Sequence, residues 1–180
     1  VLATNGGHDA RMTDTATQLA RLEANAQTQA HIDLIRKLLN MAAVELLRRG
    51  EIHDQSKFSP EEVDVFTEFT PKLKGCTYGS DEYKGFLAEM KPALDHHYAH
   101  NRHHPEHFRD GIEGMNLVDV LEMFIDWLAS STRHTDGDVR RSIEVNHQRF
   151  NMSPQLVRIF QNTAADFTLA GVTAEDPRAR

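Results

Sequence analysis

From about Thr15 to Arg49 the chain runs without a proline or glycine, and Ile35, Leu38, Leu39, Ala42 and Leu46 recur at helical spacing until Gly50 stops the pattern. A segment of that length and period is a helix. Nothing later in the chain alternates apolar with polar at period two, so the expected class is all-α with no sheet. His31 falls four residues before Ile35 and seven before Leu38. At ~100° per residue it shares the apolar face and is expected to look inward.

The remaining elements follow from caps and breakers. A short element carries His53 and Asp54, and Ser59-Pro60-Glu61-Glu62 has the pattern of a capped helix start, predicting a helix through Val63 and Phe66 to about Pro71. Ser80 caps a helix whose stripe runs through Tyr83, Phe86 or Leu87 and Met90 to His97, with Pro92 as the place for a kink or a division. Asn101 to Met115 reads as a long loop, and length without structure makes a loop a functional suspect. Asn116 caps an apolar helix from Leu117 to about His134, with Asp119, Glu122 and Asp126 on one face. A helix to about Phe150 follows Thr135-Asp136-Gly137, and Ser153-Pro154 starts the last one.

At 180 residues the chain suits one helical domain, placed at residues 14–170 between loose ends at 1–13 and 171–180. A formal charge of −7 argues against a broad grip on nucleic acid, yet leaves room for a small anion held through a metal. Cys76 is alone, no apolar run reaches the ~20 residues a bilayer needs, and no secretory pattern opens the chain, so a cytoplasmic protein without a membrane partner is expected; a homodimer is left open.

Seven of the eleven histidines lie between Ile52 and Phe108. Imidazole is the commonest biological metal ligand, and helices build a metal site when each points one or two donors inward from an apolar face. His31, the adjacent pair His53-Asp54 and an inward aspartate on a later helix form such a set. Asp126 is preferred to Asp119, because Asp126 lies mid-helix beside Trp127 whereas a first-turn acid is explained by the helix dipole. Mixed imidazole and carboxylate donors suit Mn, Fe, Co, Ni or Zn better than Ca. Lys57 and Arg102 would suit a phosphate, and Glu122 or Glu106 could act as general base or orient a ligand.

His53-Asp54-Gln55-Ser56-Lys57 resembles the HD-x-G-K form of the HD superfamily of metal-dependent phosphohydrolases, with Ser56 where that form has Gly. The stretch from about His31 to Thr163, including His96-His97-Tyr98 and Asn101-Arg102-His103-His104-Pro105-Glu106-His107, is also similar to a bacterial and phage family of unknown function. The first resemblance implies an HD-like bundle of about six to seven helices and hydrolysis of a small phosphorylated substrate, a nucleotide being the default. It also invites His97 and His104 as ligands of a second ion. Two rival expectations stand beside it: a di-iron oxygenase resembling inositol oxygenase, and a non-catalytic helical module holding a structural ion. Which of His96, His97, His103, His104 and His107 face the site is left open by the sequence.

Overall fold

The computed structural model describes residues 6–77, 79–132 and 138–169. Within them the secondary structure is helical throughout, as expected. Seven α-helices appear: α1 Gly6–Ile52, α2 Val63–Gly75, α3 Asp81–Glu89, α4 Lys91–His100, α5 Leu117–Ser131, α6 Val139–Phe150 and α7 Pro154–Leu169. Short 3-10 helices span Gln55–Phe58, Pro105–His107 and Gly111–Gly114. No described helix is long and apolar enough to cross a membrane. The expectations for the turn at Thr135-Asp136-Gly137, for a helix end at His134 and for the tail from Gly171 fall outside the described residues.

The chain divides into two units, residues 1–47 and 48–180. Within the first unit the described residues are those of helix α1 from Gly6 to Leu47. Gln29 and Arg36 both donate to Asp33, at 3.1 and 2.9 Å, the short-range pairing that supports a helix surface. The apolar side chains of this stretch are exposed, among them Ile35, Leu38, Leu39 and Met41.

The second unit begins with the last turn of α1. Its main core lies among α5, α6 and α7, where Met123, Phe124, Leu128, Val139, Ile143, Met152, Val157, Phe160 and Ala164 are buried together. The Phe124 and Phe160 rings stack at 5.2 Å. Asn116 starts α5 with a reciprocal capping box: its side chain accepts from the Asp119 backbone N–H, and the Asp119 carboxylate accepts from the Asn116 N–H at 3.0 Å. Ser80 caps α3, accepting from the Tyr83 N–H at 3.2 Å. Pro92, in the first turn of α4, marks a division rather than a kink: α3 stops at Glu89 and a new helix begins at Lys91, with Met90 fully buried at the corner.

The start of α2 differs from its sequence pattern. Ser59 to Glu62 form a tight turn in which the N–H groups of Glu62 and Val63 both donate to the Ser59 carbonyl, and the helix begins only at Val63. It then runs through Pro71 to Gly75. The reason lies with Glu62, whose carboxylate is turned into the protein rather than back to cap a helix.

Candidate metal centre

Helix α1 ends just before His53, and Asp54 takes a left-handed backbone conformation at φ 58°. Few side chains other than Gly, Asn and Asp adopt it readily, and such residues gather at functional sites because the surrounding structure must hold them there. The reversal throws the chain into the 3-10 helix Gln55–Phe58 and leaves the Asp54 carboxylate pointing at α4 and the loop after it. There Asp54 Oδ1 lies 3.2 Å from His97 Nε2 and 3.4 Å from His103 Nε2, and His97 Nε2 lies 3.0 Å from His104 Nε2. These four donor atoms all fall within 4.8 Å of one another.

The His97–His104 contact has the geometry of a hydrogen bond, but not every close approach here does. Asp54 Oδ1 and His103 Nε2 are both buried and neither has a hydrogen-bond partner. Buried polar atoms left unmatched in this way are rare and costly. Donors on one first-row ion, with bonds of ~2.0–2.1 Å, sit ~3.3 Å apart in a tetrahedron, so the observed separations match lone pairs directed at a common cation. The residues fit a divalent ion of the borderline kind; three imidazoles with one carboxylate are a poor match for Ca, which takes oxygen only.

Two carboxylates stand behind the rings. Glu62, fully buried, accepts from His97 Nδ1 at 2.9 Å and from His96 Nδ1 at 2.7 Å. Burial alone would raise its pKa, but His96, Ser56 and His97 more than offset this and hold it below the usual range. An ionised carboxylate only accepts, so the His97 proton belongs on Nδ1 and its Nε2 lone pair faces Asp54. Glu122 plays the same part on the other side: its Oε1 lies 3.0 Å from His53 Nδ1 and 3.3 Å from His103 Nδ1, and its Oε2 accepts from Arg49 at 2.9 Å. Although burial opposes it, His103, His53 and Arg49 keep Glu122 well below its ordinary pKa. Both of its oxygens are taken, which fits an orienting group, one of the two roles expected for it from the sequence.

Asp54 itself is held far below the carboxylate range by His103, His97 and Lys57 against the opposing effect of burial. His104 goes the other way: burial first, then the neighbouring His103 and His97, push it down to about 2, so its ring is neutral. His53 is raised to about 10 by Asp126 and then Glu122, against the effect of burial. Its Nε2 lies 3.5 Å from Asp54 Oδ2 and 3.8 Å from Asp126 Oδ1, which places Asp126 at the margin of the cluster.

The expected site residues therefore separate. His53, Asp54, His97, His104 and Asp126 come together, and His103, which the sequence had left open, joins them at the centre. His31 does not: it is exposed on α1 and takes no part in the converging groups, because the apolar stripe it was assigned to is itself uncovered. Lys57 sits on Asp54 Oδ2 at 2.6 Å. Arg102 is not a free fork for phosphate, since its Nε and Nη2 grip the Asp119 carboxylate at 3.1 and 2.8 Å. Asp119, taken from the sequence for a dipole residue, is fully buried and also accepts from Arg49 Nη2 at 2.8 Å. Glu106 pairs with Arg149 at the surface, His96 turns to Glu62, His100 stacks on His96, and His107 bonds the Tyr98 carbonyl through Nδ1.

A family model covers residues 20–166. The chain belongs to DUF5662, a family of unknown function. No curated protein and no solved structure matches it. The matched span takes in every donor of the centre as well as Glu62, Glu122 and the Arg49–Asp119–Arg102 network.

Beside the donors a cleft of about 240 Å³ opens among Arg48, Arg49, Ile52, His100, Asn101, Arg102, His103 and Glu122. Three guanidiniums against one carboxylate in its wall, with Asp119 behind them, make it locally basic on a chain of net charge −7. A broader concavity runs along α1 beside Asp33, Arg36 and Met41, but one helix alone forms it and none of the converging donors lies there.

Proposed function

We propose that the chain is a metal-dependent phosphohydrolase of HD type acting on a small phosphorylated molecule, with nucleotides as the first substrates to test. The observation that carries the reading is the pair of orphaned buried atoms, Asp54 Oδ1 and His103 Nε2, set among the Nε2 atoms of His97 and His104. Asp54, His97, His103 and His104 would hold the ion. When bound, a divalent cation supplies Lewis acidity toward a phosphoryl oxygen and lowers the pKa of water.

The chain's own groups do the rest. Glu62 and Glu122 fix the proton on Nδ1 of the rings they touch, keeping Nε2 available and the imidazoles in register. Arg49 and Arg102 clamp Asp119 and so tie the last turn of α1 and the loop after α4 to α5. Arg48, Arg102 and His100 line the basic cleft, which favours approach by a small anion, whereas the net negative surface disfavours polyanions.

The test is a screen of nucleotides and simple phosphoesters on tag-free protein with Mn, Co or Ni added. Metal-stimulated phosphate release that disappears in Asp54→Ala supports the reading. Metal-loaded protein that releases no phosphate across the screen contradicts it; a pair of irons with an oxo-bridge absorbance would move the chain to oxygen chemistry, and loss of the fold on chelation without any turnover would make the ion structural.

A further inference from the structure

The Asp54 carboxylate divides its two oxygens between different neighbours. Oδ1 faces the Nε2 atoms of His97 and His103, whereas Oδ2 takes the Lys57 ammonium at 2.6 Å with His53 Nε2 at 3.5 Å. Asp126 Oδ1 lies 3.8 Å beyond, on the same His53 nitrogen. A carboxylate with donors on both sides could bridge two cations. On the Oδ2 side, one cation is already part of the chain.

Lys57 is held there by its backbone. Asp54 immediately precedes the 3-10 helix at Gln55–Phe58 and Lys57 lies three residues on, so one tight turn holds the two side chains at close range. The Lys57 N–H donates to the Asp54 carbonyl at 2.9 Å, closing that turn. The ammonium also sits 5.0 Å from the centroid of the Phe66 ring, on α2, which adds a cation–π contact from a second element. A surface lysine swings freely; this one is fixed by covalent spacing, an ion pair and an aromatic face.

We propose that Lys57 is a built-in second cation, which restricts the centre to one divalent ion, on the Oδ1 side, and excludes a second from the half-site formed by Asp54 Oδ2, His53 and Asp126. This rests on the metal reading above but not on the reaction assigned to it. A divalent ion on Oδ2 would have to share that oxygen with a fixed positive charge, and the carboxylate cannot neutralise both. Removing the ammonium frees Asp54 Oδ2, beside which stand the His53 imidazole and, against that ring, the Asp126 carboxylate, the mixed donor set that a second Mn, Fe or Co would accept.

The experiment is a count of Mn bound per full-length chain, by equilibrium dialysis with elemental analysis, for the wild type, Lys57→Met, Lys57→Arg, Asp126→Asn and the Lys57→Met/Asp126→Asn double variant. One ion is expected for the wild type, for Lys57→Arg, which keeps the charge, and for Asp126→Asn. Two are expected for Lys57→Met, returning to one in the double variant. Two ions in the wild type, or one in a Lys57→Met protein with wild-type circular dichroism, overturns the proposal. Should Lys57→Met fail to fold, the wild-type and Asp126→Asn counts still decide: a fall from two to one between them is the contrary result. A wild type that binds no Mn removes the metal reading and this proposal together, whereas one ion without phosphohydrolase activity removes only the reaction.

Discussion

Glu62 is the most exacting place to perturb the centre, because it touches no candidate ion and yet sets the ring that does. Its two oxygens accept from His96 and His97 at 2.7 and 2.9 Å inside a fully buried position. Glu62→Gln keeps the volume but offers one acceptor oxygen in place of two, and its amide N–H groups face an Nδ1–H donor. Either one hydrogen bond is lost or a ring changes tautomer, which carries the His97 proton to Nε2 and blocks the donor. Removal of such orienting partners costs ~10–100-fold in metal affinity, equal to about 1.4–2.8 kcal/mol. Ser56 Oγ, 3.1 Å from His97 Nδ1, can take part of the load, which favours the lower half of that range. A chelator-competition titration with Zn on wild type and variant, with circular dichroism to establish that the fold persists, reads the effect directly. Affinity within twofold of wild type in a folded Glu62→Gln protein would refute the tautomer argument.

Asp119→Ala should unfold the second unit more easily, since it leaves buried Arg49 with Glu122 alone and one set of donors unmatched, a loss of about 1–3 kcal/mol and roughly 2–12 °C in melting temperature; a drop below about 1 °C would be contrary. The same residue should shape acid stability. Burial opposes it, yet Arg102, the Asn116 N–H and Arg49 hold the folded Asp119 below its unfolded pKa of about 3.9, so its contribution is present above that pH and is lost as pH falls through the folded value. In Asp119→Asn the acid limb of a stability–pH curve should be shallower than in the wild type. Ion binding should release protons: burial lowers the affinity of His103 for a second proton but Asp54 and Glu122 more than offset it, and any ring that carries that proton must lose it before Nε2 can coordinate, so affinity rises with pH and calorimetric heats differ between buffers of different ionisation enthalpy. Identical heats in two such buffers would contradict this. Finally, His31→Ala should leave Zn affinity unchanged, because that side chain is exposed and is not among the converging donors; a tenfold loss would return it to the site.

Much of the fold was legible because caps and breakers act locally. Asn116, Ser80, Pro92 and Ser153 each do in the structure what their chemistry dictates within one turn. Ser59-Pro60-Glu61-Glu62 carried the same kind of signal and misled, because Glu62 is taken by two histidines more than thirty residues away, a tertiary demand that no local pattern announces. His31 failed for a related reason. Periodicity identifies which face of a helix is apolar; it does not say what covers that face. Asp119 looked sufficient as a first-turn acid and is indeed a cap, but the two arginines that bury it come from the end of α1 and the loop after α4. His103 sits in a loop without periodicity, so only its density among neighbouring histidines hinted at a role. The His-Asp pair was legible because adjacency at the end of a helix keeps both residues in one place whatever the rest of the chain does.

The central claim is convergence on one cation, and X-ray absorption at the metal edge of tag-free protein loaded with Zn and dialysed tests it most directly. The expected spectrum has imidazole scattering from three rings with a carboxylate oxygen, and it disappears along with the bound ion in Asp54→Ala. Zinc lost on dialysis from folded wild-type protein, or retained with no imidazole around it, would contradict the claim.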